Sequence, residues 1–239
     1  MAPRRTLLLN GPTSGLSSFA LVNRRLAAGL ERAGYEVWTA ESMGDAERAG
    51  ELPDICLTHG HPYDTRNAPG RVNVFFLEYD YARFTRGDRF LKENLEGRFD
   101  LCLAPSRFVR DACLKSGLGI PVAVCPLGVD LDELCPSTPP VPLPTEKRFR
   151  FVHAGSATER KGVDVLVEAY RAEFESGDDV VLILKTFGYD HLLPWLEEVL
   201  HGGATNGPEI VHLRRPEPSL AGYYTAADVG VFPFRGEGF

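Results

Sequence analysis

The 239-residue sequence has no excess of positive charge. It contains 26 lysine and arginine residues and 33 aspartate and glutamate residues, which gives a net charge of −7. A nucleic-acid surface needs clustered cations to neutralise phosphates, and excess acid repels the polyanion. This balance argues against nucleic acid as a partner, although a small anionic ligand can still be held locally.

Long hydrophobic runs are also missing. The opening residues MAPRRTLLLN carry two arginines but only three consecutive leucines before Asn10 and Gly11. That run is too short for the core of a signal peptide, and no later run approaches the length of a membrane span. We therefore expect a soluble, cytoplasmic protein.

Paired cysteine motifs are absent as well. The five cysteines are an odd number and include no CxxC pair, and both Cys56 and Cys102 stand inside apolar runs. This pattern favours buried, reduced thiols over a zinc site or a disulfide framework.

The sequence does show an alternation of short apolar runs and helix-periodic segments. TLLLN (6–10) leads through the turn GPTSG (11–15) into a segment whose apolar residues recur every three or four positions until Gly34. This pattern predicts strand, turn and helix. Ser106 is predicted to cap a later helix that ends near Gly117. Further strands are predicted at EVWTA (36–40), DICLT (54–58), VNVFFL (72–77) and DLCLA (100–104), several of them apolar on both faces, as in a parallel sheet.

Five prolines within residues 136–144 predict an extended connector, because proline prevents both a helix and a central strand. We therefore expect an α/β protein with a first domain at 1–135, a linker at 136–147 and a second domain at 148–239. The second domain repeats the alternation, with predicted strands at FRFVHAG (149–155), VVLILK (180–185), EIVHL (209–213) and VGVF (229–232).

The strongest local motif is HAGSATERKG (153–162), in which a strand is followed by a short loop and then a helix. Arg160 and Lys161 directly precede Gly162, where the helix is expected to open. Free N–H groups and the positive end of the helix dipole favour an anion at this point, and two fixed cations extend such a site toward a diphosphate. An isolated basic pair would be a solvated surface feature, but the carboxyl end of a parallel strand is where α/β folds bind ligands.

Three segments in order resemble landmarks of retaining GT-B glycosyltransferases of family four, and the resemblance covers nearly the whole chain. They are SRFVRDACLKSG (106–117) with VAVCPLGVDLDELCP (122–136), HAGSATERKGVDVLVEAY (153–170) and YYTAADVGVFPFRGEGF (223–239). The resemblance implies two Rossmann-like domains with mostly parallel sheets that face a cleft. It also implies a nucleotide-sugar donor held mainly by the second domain, a hydroxyl acceptor, no cofactor and no essential metal.

The resemblance also assigns residues to the donor site. Lys161, with Arg160 beside it, would bind the donor diphosphate. Glu237, followed by Gly238, matches the first glutamate of the family's E-x7-E motif, whose carboxylates contact sugar and ribose hydroxyls. The second glutamate would fall at position 245, so the sequence resembles a truncated enzyme, and we expect residues 1–239 alone to be inactive in transfer.

Other candidates have two open readings each. Gly11 and Gly15 resemble the family's glycine-rich turn, but they also suit any tight strand-to-helix turn. His59 matches a histidine that often lines the family's cleft, whereas pairing with His61 as a metal site lacks a third ligand. Lys185 ends a predicted strand at the same edge of the sheet as the loop that carries Arg160 and Lys161. It is either a donor-pocket residue or a solvated lysine at the end of the strand.

The family often has a histidine after the next strand, near the transferring sugar, and this sequence has Glu78, Tyr79 and Asp80 there. Glu78 or Asp80 is a candidate to replace this histidine, either as a hydrogen-bond partner of the sugar or as the base that activates the acceptor. Alternatively, each is a surface carboxylate without such a role. Asp130 and Asp132 imitate a metal-binding DxD motif, but their place after PLGV favours a loop cap or a role at the domain junction.

Three alternatives stay open. A nucleotide-dependent oxidoreductase would use Glu41, after the second strand, as its ribose-binding acid, although GPTSG lacks the G-x-G-x-x-G spacing. A sugar-nucleotide epimerase would use the same fold. An inactive fragment is the third.

Overall fold

Two parallel β-sheets organise the chain. The computed structural model describes residues 5–41, 52–60, 70–85, 89–187, 192–201 and 207–238. Its contacts divide the chain into two compact units, Met1–Leu127 with Glu237–Phe239, and Gly128–Gly236. No helix in the described ranges is long and apolar enough to cross a membrane.

The first unit contains a six-stranded sheet in the order β2-β1-β3-β4-β5-β6, and every neighbouring pair is parallel. Strands that are covered on both faces bury continuous apolar runs, as Leu7–Leu9 do here. The strands are β1 Thr6–Asn10, β2 Glu36–Ala40, β3 Ile55–His59, β4 Val72–Phe76, β5 Leu101–Ala104 and β6 Val122–Val124, and the helices are α1 Ser18–Arg32, α2 Arg89–Arg98 and α3 Arg107–Lys115.

Local sequence signals set the helix ends in this unit. Ser17 caps α1 by accepting a hydrogen bond from Ala20 N, and Ser106 caps α3 by accepting one from Val109 N at 3.2 Å. Such a cap contributes about 1 kcal/mol to helix stability. Gly117 follows α3 with a φ of 73°, a left-handed conformation that favours glycine. The predicted cap at Ser106 and the end near Gly117 are both confirmed.

The second unit has a four-stranded parallel sheet in the order β10-β7-β8-β9. The central pair is the most buried, with Val181–Leu184 fully covered. The strands are β7 Phe149–Ala154, β8 Val180–Lys185, β9 Glu209–Leu213 and β10 Val229–Gly230, and the helices are α4 Val163–Glu173, α5 Leu193–His201 and α6 Ala221–Thr225.

The proline-rich segment, predicted as a linker at 136–147, packs against the second unit, and the division between the units falls earlier, after Leu127. Val141 N donates a hydrogen bond to Gly222 O at 3.0 Å, and the Val141 side chain packs into the apolar core of this unit. Gly222 permits this approach, because a Cβ there would lie 2.7 Å from Val141 Cγ1. The segment is therefore a packed part of the second unit, and the roles expected of the two domains stay predictions.

Candidate functional site

The order of strands in the second sheet marks its ligand-binding edge. The chain runs from β7 to β8 and β9 on one side and returns to the other side of β7 as β10. In open parallel sheets, ligands bind beyond the carboxyl ends of the strands at such a switch point. The loops that follow β7 and β10 are therefore the place to look for a site in this unit.

The loop after β7 ends in a single 3-10 turn, Glu159–Lys161, that leads directly into α4. Gly162 is the N-cap of α4, with a φ of 68°, and provides no side chain to cap the helix. A Cβ at Gly162 would lie 2.1 Å from Pro233 O, so only glycine fits where the loop after β10 packs on this turn. The sequence predicted the helix start at Gly162 correctly.

Arg160 and Lys161 lie together against the loop after β10. Arg160 donates through Nη1 to Gly236 O at 2.9 Å, and Arg160 O accepts from Arg235 N at 2.8 Å. The Lys161 ammonium lies 4.3 Å from the centre of the Phe234 ring, within cation–π range. Both cations are thus held beside the N-terminus of α4.

Arg235 is a residue of this region that the sequence did not single out. Its guanidinium forms two hydrogen bonds to the Asp164 carboxylate and a third to Glu159 O. The hydrogen bonds from Arg235 lower the pKa of Asp164. This arginine therefore ties the loop after β10 to both the 3-10 turn and the first turn of α4.

His153 is a second residue that the sequence did not single out, although it opens the HAG segment at the end of β7. Its ring is fully buried, and Nδ1 lies 2.9 Å from Val231 O. A carbonyl only accepts, so Nδ1 carries the proton. Its Nε2 atom is buried and has no hydrogen-bond partner among the residues that the structure describes. Burial, with a smaller contribution from the Lys161 charge, lowers the pKa of His153.

Lys185 lies at the end of β8 and is fully buried, so it is not a solvated strand-end lysine. Its ammonium donates to Arg215 O and lies 5.6 Å from the centre of the Tyr223 ring. Burial lowers the pKa of Lys185, against an opposing effect of Glu217. These contacts support the segment after β9, and a donor-pocket role for Lys185 stays a prediction.

The first unit brings His59 and Glu78 together at the carboxyl ends of β3 and β4. His59 is fully buried, and its Nε2 lies 3.2 Å from Glu78 Oε1. On the other side, His59 Nδ1 lies 2.7 Å from Asn23 Oδ1. Asn23 was not singled out by sequence reasoning, because an asparagine on an otherwise apolar helix face carries no signal of its partner.

The hydrogen bonds of Asn23 fix the proton positions on His59. The Asn23 amide nitrogen donates to Pro12 O at 2.8 Å and to His59 O at 3.0 Å, so its oxygen is the atom that faces His59 Nδ1. Nδ1 must therefore carry a proton. Nε2 is then the ring atom that faces Glu78 Oε1, and one hydrogen bond joins the two side chains.

Asp80 and the end of the chain lie near the same strand. Asp80 is half-buried two residues beyond Glu78. Gly238 is buried, and its carbonyl accepts a hydrogen bond from Ser106 Oγ at 2.6 Å. A Cβ at Gly238 would lie 2.9 Å from Tyr79 O, so this glycine is also required for close packing. Glu237 is half-buried and belongs by its contacts to the first unit.

The glycine turn after β1 is closed by a carboxylate. Glu41 accepts from Ser14 N at 2.7 Å and Ser14 Oγ at 2.8 Å, and from both the amide and the hydroxyl of Thr13. These hydrogen bonds lower the pKa of Glu41 to about 2, and the bond from the Thr13 side chain has the largest effect. Gly11 lies against β3, where a Cβ would come 2.0 Å from His59 O, whereas a Cβ at Gly15 would meet nothing within 4 Å. Because Glu41 fills this turn, its geometry disfavours the ribose-binding role of the oxidoreductase alternative.

The two aspartates of the DxD pattern form a local turn. Asp130 Oδ1 accepts from Asp132 N at 3.1 Å and from Glu133 N at 3.3 Å, which confirms the predicted loop cap. His61 lies outside the described residues. Within the described ranges, no three His, Cys, Asp or Glu side chains form a group that could hold a metal ion.

No protein-family model matches the sequence, and no curated protein matches it. Solved structures resemble it at low identity. HepE from Anabaena, in complex with UDP and glucose, has a TM-score of 0.63 and 14% identity over 95% of this chain and 74% of that chain. The apo structure of OtsA has a TM-score of 0.63 and 14% identity, over 98% of this chain and 79% of that chain. A glycosyltransferase from Rickettsia africae has a TM-score of 0.64 and 13% identity, over 97% of this chain and 73% of that chain. These likenesses confirm the predicted fold class, an α/β fold with two parallel sheets that matches GT-B glycosyltransferases.

Proposed function

We propose that this chain is a glycosyltransferase of the retaining type, which moves a sugar from a nucleotide-diphosphate sugar to an acceptor hydroxyl. The observation that carries the proposal is the cluster of Arg160 and Lys161 at the N-terminus of α4, beside the switch point of the second sheet. An uncapped helix N-terminus with two fixed cations has the charge and the donors to hold a diphosphate.

The same cluster explains how the reaction is accelerated. As the bond from the sugar to the diphosphate breaks, negative charge grows on the departing phosphate and the sugar becomes oxocarbenium-like. Cations that are fixed before the reaction stabilise that charge without reorganising. Arg160 is fixed by Gly236 O, and Lys161 is fixed over the Phe234 ring. In this proposal the two side chains supply the positive charge at the leaving group, and transfer requires no metal.

The remaining candidates take supporting roles. Glu237 follows Gly236, the residue that Arg160 binds, and in this proposal its carboxylate contacts hydroxyls of the donor. In the first unit, Glu78 is the preferred carboxylate for the reacting hydroxyl groups, because its hydrogen bond with His59 holds it in place. Asp80 is the second candidate for that contact.

The proposal is tested first by ligand binding. We expect UDP-glucose, GDP-mannose or ADP-glucose to bind the chain in isothermal titration calorimetry, and Lys161→Ala to weaken that binding. A hydrogen bond to a charged group contributes about 1.5–3 kcal/mol, which corresponds to a loss of roughly 10- to 150-fold. The matched control is Lys147→Ala, because Lys147 precedes β7 at the other end of the sheet and bonds Asp178 O.

Transfer itself is tested by product analysis. In the full-length protein, we expect radiolabelled sugar to reach an acceptor, with the anomeric configuration retained in the product by NMR, and Lys161→Ala to lower transfer at least tenfold. Equal binding and turnover by Lys161→Ala and Lys147→Ala would remove Lys161 from this role. Interconversion of the nucleotide sugar without transfer would favour an epimerase instead.

A further inference from the structure

We propose that His153 is a direct contact of the donor diphosphate, and that donor binding is coupled to the uptake of one proton by its Nε2 atom. This inference rests on the proposed function, because it takes the ligand of the Arg160 and Lys161 cluster to be a nucleotide diphosphate.

The first support is the fixed position of the ring. His153 Nδ1 donates to Val231 O at 2.9 Å, and the rings of Phe232 and Phe234 lie 5.9 and 6.1 Å from the imidazole. The side chain is fully buried at the end of β7. The ring therefore cannot turn to find another partner without breaking the bond to Val231.

The second support is the unpaired atom. Nε2 of His153 is buried and has no hydrogen-bond partner within the described residues. Buried polar atoms are nearly always paired, so an unpaired one at a ligand-binding edge calls for an explanation. A ligand atom that completes the hydrogen bond provides one.

The third support is the space that Nε2 faces. Gly155 has no side chain, and a Cβ there would lie 3.7 Å from His153 Nε2 and 3.8 Å from Lys161 Cδ. The imidazole nitrogen and the lysine stem thus border the same space above Gly155. In this proposal, a phosphate oxygen that Lys161 binds beside Gly155 also meets this nitrogen.

The coupling to a proton follows from the chemistry of the two partners. In the free protein, burial and the Lys161 charge lower the pKa of His153, so the ring is neutral and Nε2 presents a lone pair. A phosphate diester oxygen only accepts hydrogen bonds, and contact with it requires an Nε2–H donor. The negative charge of the diphosphate favours the imidazolium. Of the groups around the ring, Lys161 on the 3-10 turn is charged, whereas Val231, Phe232 and Phe234 on the loop after β10 are not.

The sign of the pH dependence is fixed by this scheme. The pKa of His153 is higher in the complex than in the free chain, so affinity is greatest at low pH and falls as the pH rises through the pKa of the complex. Between the two pKa values, binding takes up close to one proton.

The experiment is calorimetry of the full chain with UDP-glucose, GDP-mannose and ADP-glucose, repeated in buffers of different ionisation enthalpy. These diesters do not titrate near neutral pH, so proton uptake reports on the protein. We expect uptake that approaches one proton in the parent chain and is lost in His153→Gln, whose amide still donates. We expect His153→Phe to bind at least tenfold more weakly, and His212→Gln, which alters a histidine bonded to Thr186, to retain the uptake.

Two outcomes overturn the inference while the proposed function stands: donor binding to the parent chain without proton uptake, or uptake that persists in His153→Gln. If the parent chain binds without uptake and His153→Phe binds more weakly, Nε2 is assigned instead as an acceptor for a sugar or ribose hydroxyl. No binding of any of the three donors to the parent chain would overturn the proposed function as well. If a variant fails to fold, ¹⁵N NMR of the parent chain decides, because the bound state must show the Nε2 shift of an imidazolium.

Discussion

Arg235 and Asp164 form a two-pronged ion pair, with Nη1 to Oδ1 at 2.8 Å and Nη2 to Oδ2 at 2.7 Å. The planar guanidinium matches the carboxylate in this geometry, which a lysine cannot reproduce. The pair holds the loop that contains Phe234 and Gly236, the residues that position Lys161 and Arg160. It therefore fastens the loop that contacts both proposed phosphate-binding cations.

We expect Arg235→Lys to weaken donor binding about three- to tenfold while leaving stability nearly unchanged. Exposed ion pairs contribute only about 0–1 kcal/mol to folding, but the loss of the two-pronged contact loosens the loop that holds the cations. Calorimetric titration with the best of the three nucleotide sugars measures the effect. Asp164→Asn, alone and combined with Arg235→Lys, completes a double-mutant cycle.

The matched control is Arg148→Lys. Arg148 and Asp179 form a comparable exposed pair just before β7, at the opposite end of that strand. If Arg235→Lys binds the donor as tightly as Arg148→Lys does, Arg235 has no positioning role.

The sequence predicted the elements of this fold better than the contacts among its loops. Hydrophobic runs located all five longer strands of the first sheet, and Ser106 and Gly117 located the ends of α3. The short β6, which is largely exposed, and α2 went unpredicted. Their sequences lack the buried run or the cap that marked the other elements.

The missed site residues share one physical reason. Arg235 meets Asp164 across 71 positions of sequence, and Asn23 meets His59 across 36. Local propensity carries no information on such partners, which the order of the parallel strands brings together. The place of Arg160 and Lys161 before a helix N-terminus was predictable because that setting, a strand followed by a helix, is local.

Glu41 provides a prediction about acid stability. Hydrogen bonds from Thr13 and Ser14 lower its pKa from 4.5 to about 2. A carboxylate whose pKa is depressed by folding stabilises the native state above its unfolded pKa, and this contribution is lost as the pH falls through the folded value. We therefore expect Glu41→Gln to lower the melting temperature at pH 7, and the difference from the parent chain to shrink steadily below about pH 4.5.

Thermal unfolding of both chains between pH 7 and pH 3 measures this difference. Glu31→Gln, at an exposed glutamate near the end of α1, is the control and should leave the melting temperature unchanged across the range. A difference for Glu41→Gln that stays constant down to pH 3 would show that the carboxylate is not what holds the turn.

Asn23 is expected to be the costliest single polar side chain to remove from the first unit. It is fully buried and makes three hydrogen bonds, two as a donor to Pro12 O and His59 O and one as an acceptor from His59 Nδ1. Asn23→Ala leaves these groups unpaired, and we expect it to lower the free energy of unfolding by about 2–4 kcal/mol.

The same substitution at Asn73 is the matched control, because that half-buried asparagine makes two hydrogen bonds across a local turn to Gly70 and should lose only about 1 kcal/mol. Urea unfolding measures both losses. The arrangement at His59 is tested separately by NMR: the parent chain should show a protected Nδ1–H proton that Asn23→Ala lacks. Equal losses of stability in the two variants, with the Nδ1–H signal retained, would mean that Asn23 does not fix the His59 ring, and the assignment of the proton to Nδ1 by Asn23 would fail with it.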